Sequence, residues 1–261
     1  MTPDVLVTRD GAIATVVLHN PDKLNALTLA MWQRLTHEMH ALAADECVRC
    51  IVLRGSGTAA FAAGADIAEF AAVRDNVEQG RIYHREHVSG ALSAVAECRH
   101  PTIAMIHGPC VGGGLEIACQ CDLRIAGESA RFGVPINRLG FAIAYDELAA
   151  ILPVVGRAVA LEILVEGRVW DSSEARAKGL VTRMVPDAEL EEAAYASART
   201  IAAGAPLVAR WHKEFIRKLT PAPAPLTPEE LDANFDYFGT EDYRIGYEAF
   251  MSKRKPKFVG R

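Results

Sequence analysis

The chain has 261 residues, of which 50% are hydrophobic and 23% are charged, and its formal net charge at pH 7 is −5. This length and apolar content are enough to bury a large core in one or two domains. The acidic balance excludes the general basic surface of a protein that binds nucleic acid or anionic membranes, although a local basic cluster, Lys253, Arg254, Lys255 and Lys257, is suited to phosphates.

The compartment is predicted from the first residues, the apolar runs and the cysteines. No signal peptide precedes the first strand-like segment, and no apolar run approaches the length of a membrane span. The six cysteines lie in apolar or strand-like stretches, which predicts reduced and mostly buried thiols. We therefore expect a cytoplasmic protein with neither nucleic acid nor membrane among its partners.

Five apolar segments separated by helical patterns predict a mixed α/β layer fold. The predicted strands are 12–18, 50–53, 102–106, 123–126 and 180–185. Between the first two, apolar residues recur at helical spacing after Thr28, a candidate N-cap, and predict a helix with one face in the core. The residues of that stripe are Met31, Leu35, Met39 and Leu42.

Paired cysteines and histidines raise the question of a metal site. The pairs are Cys47/Cys50, Cys119/Cys121, His37/His40 and His84/His87. A tetrahedral zinc site needs four ligands at compatible spacings, and no His-Glu-x-x-His motif is present, so we expect no metal. Solvated helix faces are the favoured interpretation of the histidine pairs. The alternative that His84 and His87 line a substrate pocket stays open.

A glycine cluster at 111–116, Val-Gly-Gly-Gly-Leu-Glu, follows the strand predicted at 102–106. Glycines allow a sharp turn and close approach of a ligand, and a helix beginning there has unpaired N–H groups. The N–H of Gly113 can then receive a thioester oxygen, with Glu116 on the same side of the helix. Apolar surroundings would raise the pKa of Glu116 and the helix start would lower it.

A second turn, at 61–67, passes through Gly64 to Asp66, a candidate N-cap. The N–H of Ala65 is a plausible second donor at a helix start. Two N–H groups would form an oxyanion hole for an enolate.

With these motifs the chain closely resembles the crotonase, or enoyl-CoA hydratase/isomerase, superfamily. The likeness covers nearly the whole chain, with its motifs in the family's order and spacing. They lie at 20–27, 61–66, 107–116, 121–126, 132–135, 175–181 and 253–258.

The resemblance implies an α/β fold made of a spiral of ββα units, followed by a C-terminal helical oligomerisation region. We expect a core with the CoA-thioester site over 1–200, and over 201–261 a helical region that forms homotrimers or homohexamers and helps close the CoA site of a neighbour. Pro221, Pro223 and Pro225 predict an extended passage over 219–226. The capping signature of Thr227, with Pro and Glu after it, predicts a new helix.

The resemblance also implies an acyl-CoA substrate, with coenzyme A as part of the thioester and no separate cofactor. Glu116 is the expected proton carrier, and Ala65 and Gly113 are the expected oxyanion donors. The candidate substrate- and CoA-binding residues are Lys23, Ala26, Ala63, Asp66, Ile67, Gly112, Ile136, Tyr145, Phe238, Phe250 and Lys253. For Phe238 and Phe250 the alternative is core packing, and for Lys253 a solvated tail.

The chain departs from the family pattern after Pro135. Family hydratases typically carry a second glutamate directly after that proline, whereas Ile136 stands here and can neither orient water nor transfer a proton. Asp146 or Glu147 could supply the second carboxylate, although acids in a first helical turn are also explained by the helix dipole. Tyr145 or Asn137 could bind a polar group of the substrate.

Hydration of a 2-enoyl-CoA to a 3-hydroxyacyl-CoA is therefore the first expected function. Double-bond isomerisation of an enoyl-CoA, or other chemistry that needs a single glutamate, is the alternative within enzymes. A catalytically weak acyl-CoA-binding protein is the alternative from another class. A serine hydrolase is disfavoured, because the chain has no Gly-x-Ser-x-Gly motif and no serine at 112–116.

Overall fold

The computed structural model describes residues 2–220 and 226–261. The predicted extended passage depends on residues 221–225, which lie outside the described residues. The strands are β1 Asp4–Asp10, β2 Ile13–His19, β3 Cys50–Gly55, β4 Thr102–Ile106, β5 Pro109–Val111, β6 Leu123–Gly127, β7 Arg131–Gly133, β8 Val169–Asp171 and β9 Arg183–Val185.

Helices separate most of these strands. The α-helices are α1 Leu29–Ala44, α2 Phe70–Val73, α3 Val77–Ile82, α4 Ser89–Ala96, α5 Gly113–Gln120, α6 Tyr145–Leu161, α7 Ser172–Ala177, α8 Leu190–Ala203, α9 Pro206–Leu219, α10 Pro228–Ala233 and α11 Glu241–Met251. Shorter helical turns, of 3₁₀ or π type, are Pro21–Lys23, Ile67–Glu69, Tyr83–Val88, Pro135–Leu139, Glu162–Glu166, Asp187–Glu189 and Asp236–Gly239.

Two sheets form the framework. The larger has the order β1-β2-β3-β4-β6-β9, and its strands run parallel except for the β1–β2 hairpin. In the smaller sheet β7 pairs with β5 in parallel and with β8 antiparallel. The predicted mixed α/β layers are confirmed. The predicted segments did not include β1, β5, β7 or β8. In β1 only Val5 is buried, so the strand has little apolar signal, and β5, β7 and β8 have three residues each, too few to display alternation.

Both faces of the larger sheet are covered, as its apolar strands indicate. Ile51 and Leu53 of β3 face the main core with α1, whereas Cys50 and Val52 face a second cluster with α8. This division follows from the alternation of side chains along a strand. The predicted α1 stripe is buried, and Thr28 Oγ1 accepts a hydrogen bond from the Met31 N–H at 3.2 Å, which confirms the cap.

The other local predictions have mixed outcomes. The cysteines are all free and, apart from the exposed Cys47, buried, as predicted. The predicted capping box at Thr227 is confirmed, because its hydroxyl accepts from the Glu230 N–H and its N–H donates to Glu230 Oε2.

The expectation that no apolar run reaches membrane-spanning length was wrong. The helical stretch from Tyr145 to Glu166, 22 residues, meets that criterion by length and composition alone. Gly156, with φ of 75° and ψ of 168°, breaks it into two helices.

The C-terminal helices pack on the core of the same chain. Gly246 of α11 lies against the Leu139 carbonyl, where a Cβ would lie only 2.3 Å from the oxygen. This contact places α11 directly over the turn Pro135–Leu139. The C-terminal region therefore covers its own chain at this point.

We expect Gly114→Ala to destabilise the fold, because a Cβ on α5 would lie 2.6 Å from the Ala62 carbonyl oxygen and 2.9 Å from its Cβ. Overpacking of this kind costs about 1–3 kcal/mol of unfolding free energy, which urea denaturation measures. Gly239→Ala is the matched control, because nothing lies within 4 Å of its added Cβ. Equal unfolding free energies for the two variants would contradict the prediction.

Candidate active site

Two backbone segments are held side by side at the ends of the parallel strands. The N–H groups of Phe61 and Ala62 donate to the Pro109 carbonyl, at 3.0 and 3.1 Å, and the Val111 N–H donates to the Ala62 carbonyl at 3.0 Å. Beyond this pairing Gly64 and Gly112 come into contact, since a Cβ on Gly112 would lie 3.7 Å from the Gly64 Cα. Both glycines have positive φ, 95° and 52°, which side chains disfavour.

The two predicted donors follow these glycines. Ala65 and Gly113 line one cavity, and neither N–H donates a hydrogen bond to an acceptor within residues 2–220 and 226–261. Gly113 begins α5 directly over Trp32, where a Cβ would lie 2.7 Å from the indole ring. The fold thus presents two unpaired N–H groups to one space, which is the geometry of an oxyanion hole.

The cavity has a volume of about 440 Å³, and its wall is mostly apolar. Of the predicted site residues it includes Ala63, Ala65, Ile67, Gly112, Gly113, Glu116, Ile136 and Phe250. The cavity wall also contains the ionisable side chains of four further residues: Arg74, His84, Arg138 and Glu147.

Glu116 lies in the first turn of α5 and is buried. Burial raises the pKa of Glu116 well above its ordinary value, and the negative charge of Glu147 adds to the increase, while Arg74 opposes it. The sequence alone left the direction of the pKa shift of Glu116 open. In the structure burial is the largest cause, and the pKa is raised. Glu116 is therefore a neutral acid over a pH range in which an exposed glutamate is ionised.

Glu147 is the second carboxylate of the cavity. Burial would raise its pKa, but the charge and hydrogen bond of His84, together with Arg74 and the Ala144 N–H, outweigh burial and hold the pKa of Glu147 below its ordinary value. One carboxylate oxygen bonds His84 Nδ1, and the other accepts from the Ala144 N–H at 3.4 Å. Two carboxyl groups with opposite shifts thus share one cavity.

Three expectations near this carboxylate need correction. Of the two acids proposed for the second carboxylate, Asp146 is exposed and lies outside the cavity wall, because of the first three residues of α6 only Glu147 is buried. Tyr145 is also exposed, and Asn137 donates to the Val165 carbonyl at 3.0 Å. His84 is not on a solvated face: it is buried in the cavity wall.

The sequence carried a signal for His84 but none for Arg74. One helix face is marked by residues that recur every four positions and are all buried, namely Gly80, His84 and Val88. Grouping His84 with His87 in the sequence analysis hid this inward face. Arg74 follows α2, and a charged residue at the end of a helix is expected to be solvated. In the structure it is buried against four aromatic rings. Such a cage is assembled from distant segments and has no local pattern.

Four further predicted positions, Lys23, Ala26, Asp66 and Lys253, do not form part of the cavity wall. Lys23 bonds Asp66 Oδ2 at 2.6 Å, and Asp66 also accepts from the Ala68 N–H, which confirms it as a cap. Ala26 is buried outside the cavity wall, and Lys253 is exposed.

The aromatic positions of the C-terminal region lie near the same cavity. Phe238 packs on Gly80 and stacks on Tyr237. Phe250 is half exposed and lines the cavity of its own chain.

Within the described part of the chain, no cluster of three or more His, Cys, Asp or Glu side chains is arranged to hold a metal ion. The chemistry available from this cavity is proton transfer by carboxyl groups beside a pair of N–H donors. That combination defines a site for acid–base chemistry on a group that develops negative charge on oxygen.

Comparison with known proteins agrees with this class of site. The model of the enoyl-CoA hydratase/isomerase family matches residues 8–261, and the chain belongs to that family. A protein of Rhizobium meliloti named "Probable enoyl-CoA hydratase" is 36% identical, over 98% of each chain.

Solved structures confirm the crotonase-like fold with its C-terminal helical region. The chain is similar to an enoyl-CoA hydratase/carnithine racemase from Magnetospirillum magneticum, with 49% identity, a TM-score of 0.82, and 98% and 96% of the two chains covered. It is also similar to a methylmalonyl-CoA decarboxylase complexed with 2S-carboxypropyl CoA, with 27% identity, a TM-score of 0.88 and 98% of each chain covered.

The raised pKa of Glu116 predicts a pH-dependent stability. In an unfolded chain a glutamate loses its proton near pH ~4.3, whereas in the native state Glu116 keeps its proton to a higher pH. The resulting stability is complete below that pH and decreases as pH rises toward the native pKa. Glu116→Gln should match the wild type at low pH and exceed its unfolding free energy by about 1 kcal/mol or more at pH 8.

Urea denaturation at a series of pH values measures this difference. Glu248→Gln is the control, because Glu248 is exposed on α11. For this control the difference from wild type should stay constant with pH. Parallel curves for wild type and Glu116→Gln would show that folding does not raise the pKa of Glu116.

Proposed function

We propose that the protein hydrates a 2-enoyl-CoA thioester to a 3-hydroxyacyl-CoA. The observation that carries the proposal is the pair Glu116 and Glu147, which share a cavity with two free N–H donors and have pKa values shifted in opposite directions. Addition of water needs a base for the water and an acid for carbon. One carboxyl group of each kind is present.

The proposed reaction uses each group once. Ionised Glu147, held by His84, takes a proton from water as the water oxygen bonds to C3. The electron pair of the double bond moves onto the thioester oxygen, which the N–H groups of Ala65 and Gly113 stabilise. Neutral Glu116 then gives its proton to C2, and proton exchange with solvent restores both carboxyl groups. The thioester itself stabilises the enolate, so the reaction needs no metal or redox cofactor.

This proposal accounts for Ile136. The second carboxylate comes from the start of α6 and not from the position after Pro135, and Ile136 contributes to the apolar wall. Double-bond isomerisation is the second candidate, and the same two carboxyl groups support it, since either could carry a proton between C2 and C4.

Glu116→Gln and Glu147→Gln should each lower kcat by about 10²–10⁴-fold, as expected for loss of a general acid or base. Asp146→Asn is the matched control and should keep wild-type turnover, because Asp146 is exposed beside Glu147. The assay follows loss of the conjugated thioester absorbance of crotonyl-CoA. Wild-type activity in Glu147→Gln would exclude it as the base.

The same assay in deuterated water, run also with a 3-enoyl-CoA, separates the candidate functions. Hydrated product supports hydration, and double-bond migration with deuterium at carbon supports isomerisation. Tight binding without turnover of either thioester would support an acyl-CoA-binding protein.

We also propose that the chain assembles into a homotrimer or a pair of trimers. Helix α9 is amphipathic, and its apolar residues are exposed in the single chain. They are Leu207, Val208, Trp211, Phe215, Ile216 and Leu219. An apolar stripe of this size is typical of a surface that another protein covers.

Replacing Trp211 and Phe215 together by Glu should dissociate the assembly, because charges would be buried at the contact. Light scattering coupled to size exclusion measures the mass. Arg217→Gln on the same helix is the control and should leave the mass unchanged. A monomeric wild type would contradict the proposal.

A further inference from the structure

Arg74 is a buried cation in the wall of the cavity. Its side chain is 2% exposed, and its guanidinium carbon lies 4.1 Å from the ring centre of Phe70 and 4.7 Å from that of Phe141. Tyr83 and Phe238 complete the cage, at 5.5 and 5.7 Å. Aromatic faces attract a cation but do not satisfy its N–H groups.

The hydrogen bonding of Arg74 is incomplete. Its Nη2 donates to the Tyr237 hydroxyl at 3.3 Å, and the Tyr243 hydroxyl also interacts with it. The Nε–H is buried and has no acceptor in the described residues. Arginine carries five N–H donors, so two phenol groups leave donors unused.

No carboxylate of the described residues lies within the 4.0 Å ion-pair distance of Arg74. Glu147 acts on it only through space, because its oxygens are engaged by His84 and the Ala144 N–H. Glu116 also interacts with Arg74 only through space, and burial raises the pKa of Glu116. A buried charge without a partner is costly, and an anion supplied by the ligand would remove that cost.

We propose that Arg74 binds a carboxylate on the acyl group, so that the substrate is the thioester of a dicarboxylic acid. The inference rests on the proposed function, which puts the thioester oxygen at Ala65 and Gly113. Arg74 lines the same cavity as these two donors, so an acyl group in the cavity shares its space with the guanidinium. The other arginine of the cavity wall, Arg138, is exposed and donates to the Gly167 carbonyl, so it faces a different environment.

A binding measurement tests this without turnover. Glutaryl-CoA and 5-methylhexanoyl-CoA have acyl groups of nearly the same shape, and only the former ends in a carboxylate. Neither has the double bond required for hydration. By calorimetry, glutaryl-CoA should bind the wild type at least about 10-fold more tightly, the magnitude expected for a hydrogen bond between charged groups. Equal or weaker binding of glutaryl-CoA would overturn the proposal.

Variants assign the preference to Arg74. Arg74→Met should abolish it, whereas Arg74→Lys, which keeps the charge, should retain part of it. Arg34→Met is the matched control, because Arg34 is exposed on α1 outside the cavity wall, and it should keep the wild-type ratio of the two dissociation constants. Urea denaturation identifies a variant that has not folded. If Arg74→Met does not fold, the proposal is judged from the ratio of the two dissociation constants in the wild type and in Arg74→Lys. A preference that persists in folded Arg74→Met would overturn the assignment.

Turnover of the corresponding enoyl thioesters separates this inference from the proposed function. If wild type hydrates 5-methylhex-2-enoyl-CoA as fast as glutaconyl-CoA, the function stands and the role of Arg74 fails. If it hydrates neither but prefers glutaryl-CoA in binding, carboxylate recognition stands and hydration fails. If glutaconyl-CoA loses its carboxylate as carbon dioxide, carboxylate binding stands and the reaction is a decarboxylation.

Discussion

The structure depends most on the hydrogen-bonded pairing of Ala62 with Pro109 and Val111. This short parallel contact joins the chain after β3 to the turn that leads into α5. Because both segments continue through glycines with positive φ, their next N–H groups turn away from the pairing and into the cavity. The proposed oxyanion donors are therefore fixed by backbone geometry, and side-chain substitutions in the cavity can change the chemistry without moving them.

The cavity separates charge among groups that would otherwise repel one another. Glu116 and Glu147 are both buried, and two ionised carboxylates in one apolar space would be unfavourable. The charge and hydrogen bond of His84 lower the pKa of Glu147, and burial beside Glu147 raises the pKa of Glu116. In the proposed reaction the difference between their environments, and not their residue type, makes one the base and the other the acid.

The comparisons show why the fold alone does not identify the reaction. A methylmalonyl-CoA decarboxylase at 27% identity superposes with a TM-score of 0.88, and a hydratase/racemase at 49% identity with 0.82. The backbone is shared across different reactions, so specificity must come from a few cavity side chains. In this chain Ile136, Glu147 and Arg74 are the positions at which we expect that specificity to arise.

The sequence by itself determined the family, five of the strands with the helix stripe of α1, the two glycine turns and Glu116, because these depend on local periodicity and on short motifs. It narrowed the second carboxylate to Asp146 or Glu147 without choosing, since neighbouring residues at a helix start differ only in the direction they face. Only the tertiary structure decided that Glu147 meets His84, that Arg74 lies in an aromatic cage and that the pKa of Glu116 is raised. Each of these depends on burial between segments far apart in the chain, and burial between distant segments has no sequence period.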